Sequence, residues 1–205
     1  MTMRNADFVS LSTFCPELQI AASYATAENF TGAPVAGYHK VEALLSRKAA
    51  LALCEAQKRA RAEGLALKVF DAYRPTRAVA HFEAWAKLPE TRVDLREKYY
   101  PSFTKSELFE RGYIAHRSSH SRGSAVDLTL VDAQGAELDM GTIFDFFHPL
   151  SHTDAAGIGS GQHKNRQLLV RIMQESGFKN YSQEWWHFSL KDEAYPGQYF
   201  DFPVE

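Results

Sequence analysis

The sequence predicts an α+β fold: a central, mostly antiparallel sheet flanked by helices, in one domain spanning residues 1–205. Three observations predict it. Apolar residues recur at helical spacing in separate stretches, short apolar or alternating runs lie between them, and the turns joining those runs are short. Short turns favour antiparallel pairing over a doubly wound parallel sheet. No internal repeat, low-complexity tract or Pro/Gly/Ser linker divides the chain.

The elements follow in order. Val41, Leu45, Ala49, Ala52, Leu53, Ala56 and Ala60 predict a helix from Val41 to Ala60, with Gly64 as its stop. Leu65 to Phe70 predicts a buried strand that runs into Asp71-Ala72-Tyr73-Arg74-Pro75. Pro75 has no N–H and disfavours helix at the residue before it, so Arg74 is expected on a turn at the strand's end. Thr76 to Lys87 predicts a second helix with Val79, Phe82 and Trp85 inward, and residues 89–113 predict short helices and loop. Ser124 to Leu130 alternates, with Val126, Leu128 and Leu130 on one face and Ala125, Asp127 and Thr129 on the other. Asn165 to Glu175 predicts an amphipathic helix closed by Gly177, and Glu184 to Leu190 an aromatic-rich strand.

Composition excludes several classes. With 45% hydrophobic residues and 13% aromatics, the chain can bury a core without disulfides. A net charge of -2 argues against nucleic-acid binding and against a polybasic membrane contact. No apolar run reaches the length of a signal-peptide core or a membrane span. Cys15 and Cys54 form no CxxC motif; a disulfide between them is one reading, two thiols in a reducing compartment the simpler one. These features predict the cytoplasm.

Eight histidines are present. His39, His81, His116, His148, His152 and His163 read as surface or hydrogen-bonded histidines. His120 differs, because it opens Ser118-Ser119-His120-Ser121-Arg122-Gly123-Ser124-Ala125-Val126-Asp127, and so does His187, which closes Glu184-Trp185-Trp186-His187. A catalytic zinc needs three nitrogen or oxygen ligands and one open position, and His120, Asp127 and His187 supply that set. Glu184 is the candidate base for a water beside them. Residues three apart on a regular strand face opposite ways, so Glu184 is expected on a bulge or just before the strand. Taken singly, each spacing is a weak signal: Trp185-Trp186 defaults to core, Arg74 to a salt bridge, and Asp145 to a cap or turn.

Together these residues resemble the VanX-type D-alanyl-D-alanine dipeptidases, zinc enzymes related to D,D-carboxypeptidases and to the hedgehog-like fold. The resemblance rests on Asp71-Ala72-Tyr73-Arg74-Pro75, the Ser118 to Leu130 stretch and Glu184-Trp185-Trp186-His187. It extends to Tyr24-Ala25-Thr26, Asn29-Phe30-Thr31-Gly32, Tyr99-Tyr100-Pro101, Tyr195-Pro196 and Asp201-Phe202-Pro203. It implies one zinc per chain on His120, Asp127 and His187, with Glu184 as catalytic base and Arg74 on the tetrahedral intermediate. It further implies that Asp145 and Tyr24 hold the free amino group of a small dipeptide, with Ser118 another polar contact. The implied activity is hydrolysis of D-Ala-D-Ala, in vancomycin-type resistance or in recovery of D-alanine. Residues 147–163 look less typical and are expected to affect specificity if they shape the pocket. Two alternatives stay open: a zinc D,D-carboxypeptidase or endopeptidase on peptidoglycan peptides, and a zinc-stabilised binding domain without catalysis.

Overall fold

Five strands form the central sheet of the computed structural model, which describes residues 5–205. Residues 1–4 of the expected 1–205 domain lie outside the described residues. In chain order the elements are β1 (Phe8–Ser10), α1 (Leu11–Phe14), β2 (Gln19–Ile20), β3 (Leu44–Ser46), α2 (Arg47–Ala62), β4 (Ala66–Asp71) and α3 (Thr76–Ala86). They continue with α4 (Val93–Tyr99), α5 (Lys105–Glu110), β5 (Ala125–Val131), α6 (Ser160–Glu175), β6 (Phe178–Tyr181) and β7 (Glu184–Leu190). The sheet order is β2-β4-β5-β7-β6, and β1 pairs with β3 in a separate ribbon. Within the large sheet only β2–β4 is parallel, so the mostly antiparallel α+β expectation holds.

Two expected helices start elsewhere, and the one predicted from Asn165 begins at Ser160. The helix predicted from Val41 begins at Arg47, because Ser46 caps it by accepting from the Ala49 N–H and Leu44 to Ser46 pairs with β1. Val41 is 51% exposed, and its place in the helical pattern is a coincidence of spacing. At the other end Gly64 follows the helix with φ +75°, as a stop requires.

β5 is buried along its whole length, on both faces. Its Val126, Leu128 and Leu130 join Leu53 of α2, Leu169 of α6 and Phe188 of β7 in an apolar core. The other core is aromatic, built from residues such as Tyr24, Phe30, Phe82, Trp85, Tyr100 and Phe202. Asp127 and Thr129 lie on the strand face turned away from Val126 and Leu128. Cys15 and Cys54 are free thiols in contact with one another, and burial followed by the hydrogen bond to Cys54 pushes Cys15 up to about 12. Among the described residues no helix is long and apolar enough to cross a membrane.

Candidate active site

Strand register brings the acids and one imidazole together. Asp71 of β4 lies opposite Asp127 of β5, and Asp127 lies opposite His187 of β7. Directly opposed residues on adjacent antiparallel strands project to the same face, so the three side chains form a row across the sheet. His120 joins from the short 3-10 turn Ser119–Arg122. That turn closes through Gly123 at φ +71°, where an added Cβ would fall 2.2 Å from the Phe8 ring. Only glycine fits there.

The expected ligand set converges. One donor atom each from His120, Asp127 and His187 lies within 4.8 Å of the others. His120 Nε2 is 3.2 Å from Asp127 Oδ2, and His187 Nδ1 is 2.9 Å from Asp127 Oδ1. His120 Nδ1 sits 2.6 Å from the Ala72 carbonyl, which can only accept, so Nδ1 carries a hydrogen and Nε2 is the ring nitrogen turned to the cluster. His187 Nε2 has the Ser119 and Ser189 hydroxyls at 3.4 Å, which leaves Nδ1 to face inward. Burial holds His187 below the ordinary imidazole value, against the opposing pull of Asp127. Burial opposes the charge of Asp127, yet the His120 and His187 imidazoles hold it well below the usual carboxylate range. The two inward-facing ring nitrogens lie 3.1 Å apart beside the Asp127 carboxylate, and two imidazole nitrogens with one carboxylate oxygen are a set that fits a cation.

Glu184 stands beside this cluster without entering it. Its Oε2 is 3.9 Å from His187 Nδ1, its side chain is buried, and burial followed by the charges of Asp127 and Asp145 pushes it well above the ordinary carboxylate value. The expected bulge is present. Asn180 pairs with Phe188, whereas the next residue, Tyr181, pairs with Glu184, so Trp185, Trp186 and His187 are extra residues on β7. This break lets two residues three apart serve one cavity. Trp185 and Trp186 are 2% and 1% exposed; both are core, and Trp186 also walls the cavity.

Arg74 lies on the turn after β4, as expected. Its Nε donates to Asp71 Oδ2 at 2.9 Å, its Nη2 lies 3.5 Å from Asp127 Oδ2, and the guanidinium covers the Tyr24 ring at 5.1 Å. Asp71 is a further residue of the site, outside the set predicted from the sequence. Its other oxygen accepts from the Tyr38 hydroxyl at 2.7 Å, so it anchors Arg74. The signal was available: an acid three residues before the arginine, at a strand's end.

Asp145 and Tyr24 also meet, the Tyr24 hydroxyl donating to Asp145 Oδ2 at 2.8 Å. Asp145 is buried at φ +59°, the one non-glycine residue with positive φ among those described. Such a conformation costs about 1–3 kcal/mol and persists where the surroundings enforce it. Burial, then the charge of Asp127, pushes its carboxyl well above the ordinary value. Ser118 is buried, and its Oγ accepts from the His120 N–H at 3.2 Å, so it caps the turn as well as facing the cavity. All eight expected residues line or adjoin one cavity of about 400 Å³. Of residues 147–163 only Phe147 lines that cavity, whereas His148, His152 and Gly157 line a separate cleft.

Comparison with known proteins identifies the family. The sequence profile of the Peptidase M15 family, described as D-ala-D-ala dipeptidase, matches residues 4–205. A D-alanyl-D-alanine dipeptidase of Enterococcus faecalis is 49% identical over 184 residues, covering 89% of this chain and 91% of that protein. Those of Streptomyces coelicolor and Escherichia coli are 42% and 37% identical, covering 97% and 93% of this chain and 98% and 88% of theirs. Among solved structures, the Zn(II) complex of the vancomycin resistance D,D-pentapeptidase VanY is 18% identical with a TM-score of 0.42, covering 73% of this chain and 74% of that one. The chain belongs to the D-Ala-D-Ala dipeptidase family of metallopeptidases.

Proposed function

We propose that this chain hydrolyses D-alanyl-D-alanine to two molecules of D-alanine, with one zinc ion per chain held by His120 Nε2, Asp127 and His187 Nδ1. The observation that carries the reading is the convergence of His120, Asp127 and His187 beside a buried Glu184, inside a cavity of about 400 Å³. That volume is near the lower end for ligand pockets and suits a small substrate. The names of relatives 42–49% identical to this chain support the choice of dipeptide.

Zinc bound there would act as a Lewis acid on the substrate carbonyl and lower the pKa of a water to about 7. Glu184 takes the proton as the water oxygen attacks the carbonyl carbon, then delivers it to the departing amine nitrogen as the C–N bond breaks. Arg74, anchored by Asp71, meets the carbonyl oxygen as negative charge develops. Asp145, with Tyr24 hydrogen-bonded to it, receives the substrate ammonium, and this favours an unblocked N-terminus. Ser118 offers a further polar contact. Residues 1–205 work as one catalytic domain in this reading, and the free thiols suit a cytoplasmic enzyme, whether its role is resistance or D-alanine recovery.

The test is D-alanine release from D-Ala-D-Ala, its N-acetyl derivative and a wall pentapeptide, with and without a chelator. Release from the free dipeptide alone, abolished by chelation and restored by zinc, is expected. Cleavage of the pentapeptide beside an untouched dipeptide would overturn the proposal.

A further inference from the structure

We infer that Asn180 is the positioning residue that holds the β7 bulge open, and so sets the Glu184 carboxylate against the His187 imidazole. This rests on the roles proposed above for those two residues. Between Asn180 and Tyr181 of β6 the register jumps from Phe188 to Glu184, so regular pairing fails across that stretch of β7. A bulge frees backbone groups that the sheet ladder would otherwise satisfy, and buried groups of that kind need partners. The Asn180 side chain supplies one donor group to both ends. Its Nδ2 donates to the Glu184 carbonyl at 3.1 Å and to the His187 carbonyl at 3.0 Å.

The orientation of this amide is determined by its neighbours. Both carbonyls can only accept, so the NH2 group faces them, and Oδ1 accepts from the Thr153 hydroxyl at 2.6 Å. Thr153 is 4% exposed, and its own N–H donates to the Ser182 carbonyl in the turn between β6 and β7. One amide therefore spans the backbone of two functional residues, while a buried hydroxyl prevents it from flipping. Groups outside the ligand shell that orient metal-binding residues typically change affinity or activity by about 10–100-fold when removed.

The experiment compares Asn180→Ala, Thr153→Val and Thr153→Ser with wild type, measuring kcat and KM on D-Ala-D-Ala, the rate of zinc loss to a chelator, and Tm. Asn180→Ala is expected to lower kcat about 10–100-fold, leave KM within about twofold, and speed zinc loss. Thr153→Val should move both quantities the same way by less, and Thr153→Ser should restore them. Wild-type kcat and zinc loss in a folded Asn180→Ala would overturn the inference. So would a Thr153→Ser as impaired as Thr153→Val, since the hydroxyl would then be irrelevant. If Asn180→Ala does not fold, the Thr153 pair decides. A wild type that binds zinc but hydrolyses nothing would defeat the dipeptidase reading, and zinc loss would still judge Asn180.

Discussion

The two ends of the cavity are built by different means. At the metal-binding end, Asp71, Asp127 and His187 lie in register across β4, β5 and β7, so backbone pairing sets their spacing. At the other end Asp145 stands in residues 140–152, whose only regular element is the short turn Pro149–Ser151. That segment is pinned by the fully buried Arg166 of α6, which donates to the carbonyls of Met140, Leu150 and His152. Arg166 has no carboxylate in ion-pair range among the described residues, and burial draws its pKa down to about 10. In the proposed reading the chemistry is tied to sheet register, whereas recognition depends on a loop that Arg166, Trp185 and Tyr99 hold by hydrogen bonds. Substitution in the loop can retune substrate choice without disturbing the row of strands.

The largest break in this comparison should come from Glu184→Gln. The amide keeps the shape and loses the base, so kcat should fall by about 10²–10⁴-fold, the usual worth of a positioned acid–base group. Zinc content should stay at the wild-type level, because Glu184 is not among the converging ligand atoms. Kinetics and metal analysis on the same preparation check this, and unchanged turnover would remove Glu184 as the base. Asp145→Asn should act at the other end and on the other parameter. Removing the charge that meets the ammonium should raise KM by about 10–100-fold, in line with about 1.5–3 kcal/mol for a hydrogen bond to a charged group. A fall in kcat with unchanged KM would mean that Asp145 belongs functionally with the strands.

The same division governed what could be read beforehand. The strand-built end was legible: β7 begins and ends at the expected Glu184 and Leu190, and Arg74 lies on the turn that Pro75 implies. Period and punctuation report such features directly. The conflict between ExxH and a regular strand pointed to the bulge, but not to Asn180, because nothing in a spacing says which side chain will cap freed carbonyls. The sequence puts the start of α2 at Val41 because Val41 and Leu45 fit a 3.6-residue period, whereas β1 claims Leu44 to Ser46 by a long-range pairing. α6 begins at Ser160, five residues before the expected Asn165, because residues 160–164 are Ser-Gly-Gln-His-Lys and carry no apolar signal. Residues 140–152 gave no period at all, and Arg166 would pass for a surface residue on an amphipathic helix.

The smallest effect sharpens the comparison from outside both ends. Glu42 is buried beside β3, accepting from the hydroxyls of Ser10 and Ser12 and from the Ala43 N–H. Burial alone would raise its pKa, but those donors outweigh it and hold the carboxyl below the usual 4.5. A depressed folded-state value means that the ionised form stabilises the fold fully above the unfolded-state pKa. That contribution is lost as the pH falls through the folded-state value. Glu42→Gln should therefore unfold more easily than wild type at pH 7, and the gap should close on acidification below about 4.3, the unfolded glutamate value. Urea unfolding across pH 3–7 measures the gap, with kcat and KM expected at wild-type values. A gap that widened in acid would reverse the sign assigned to Glu42, and a change in KM alone would tie this ribbon to the Asp145 loop.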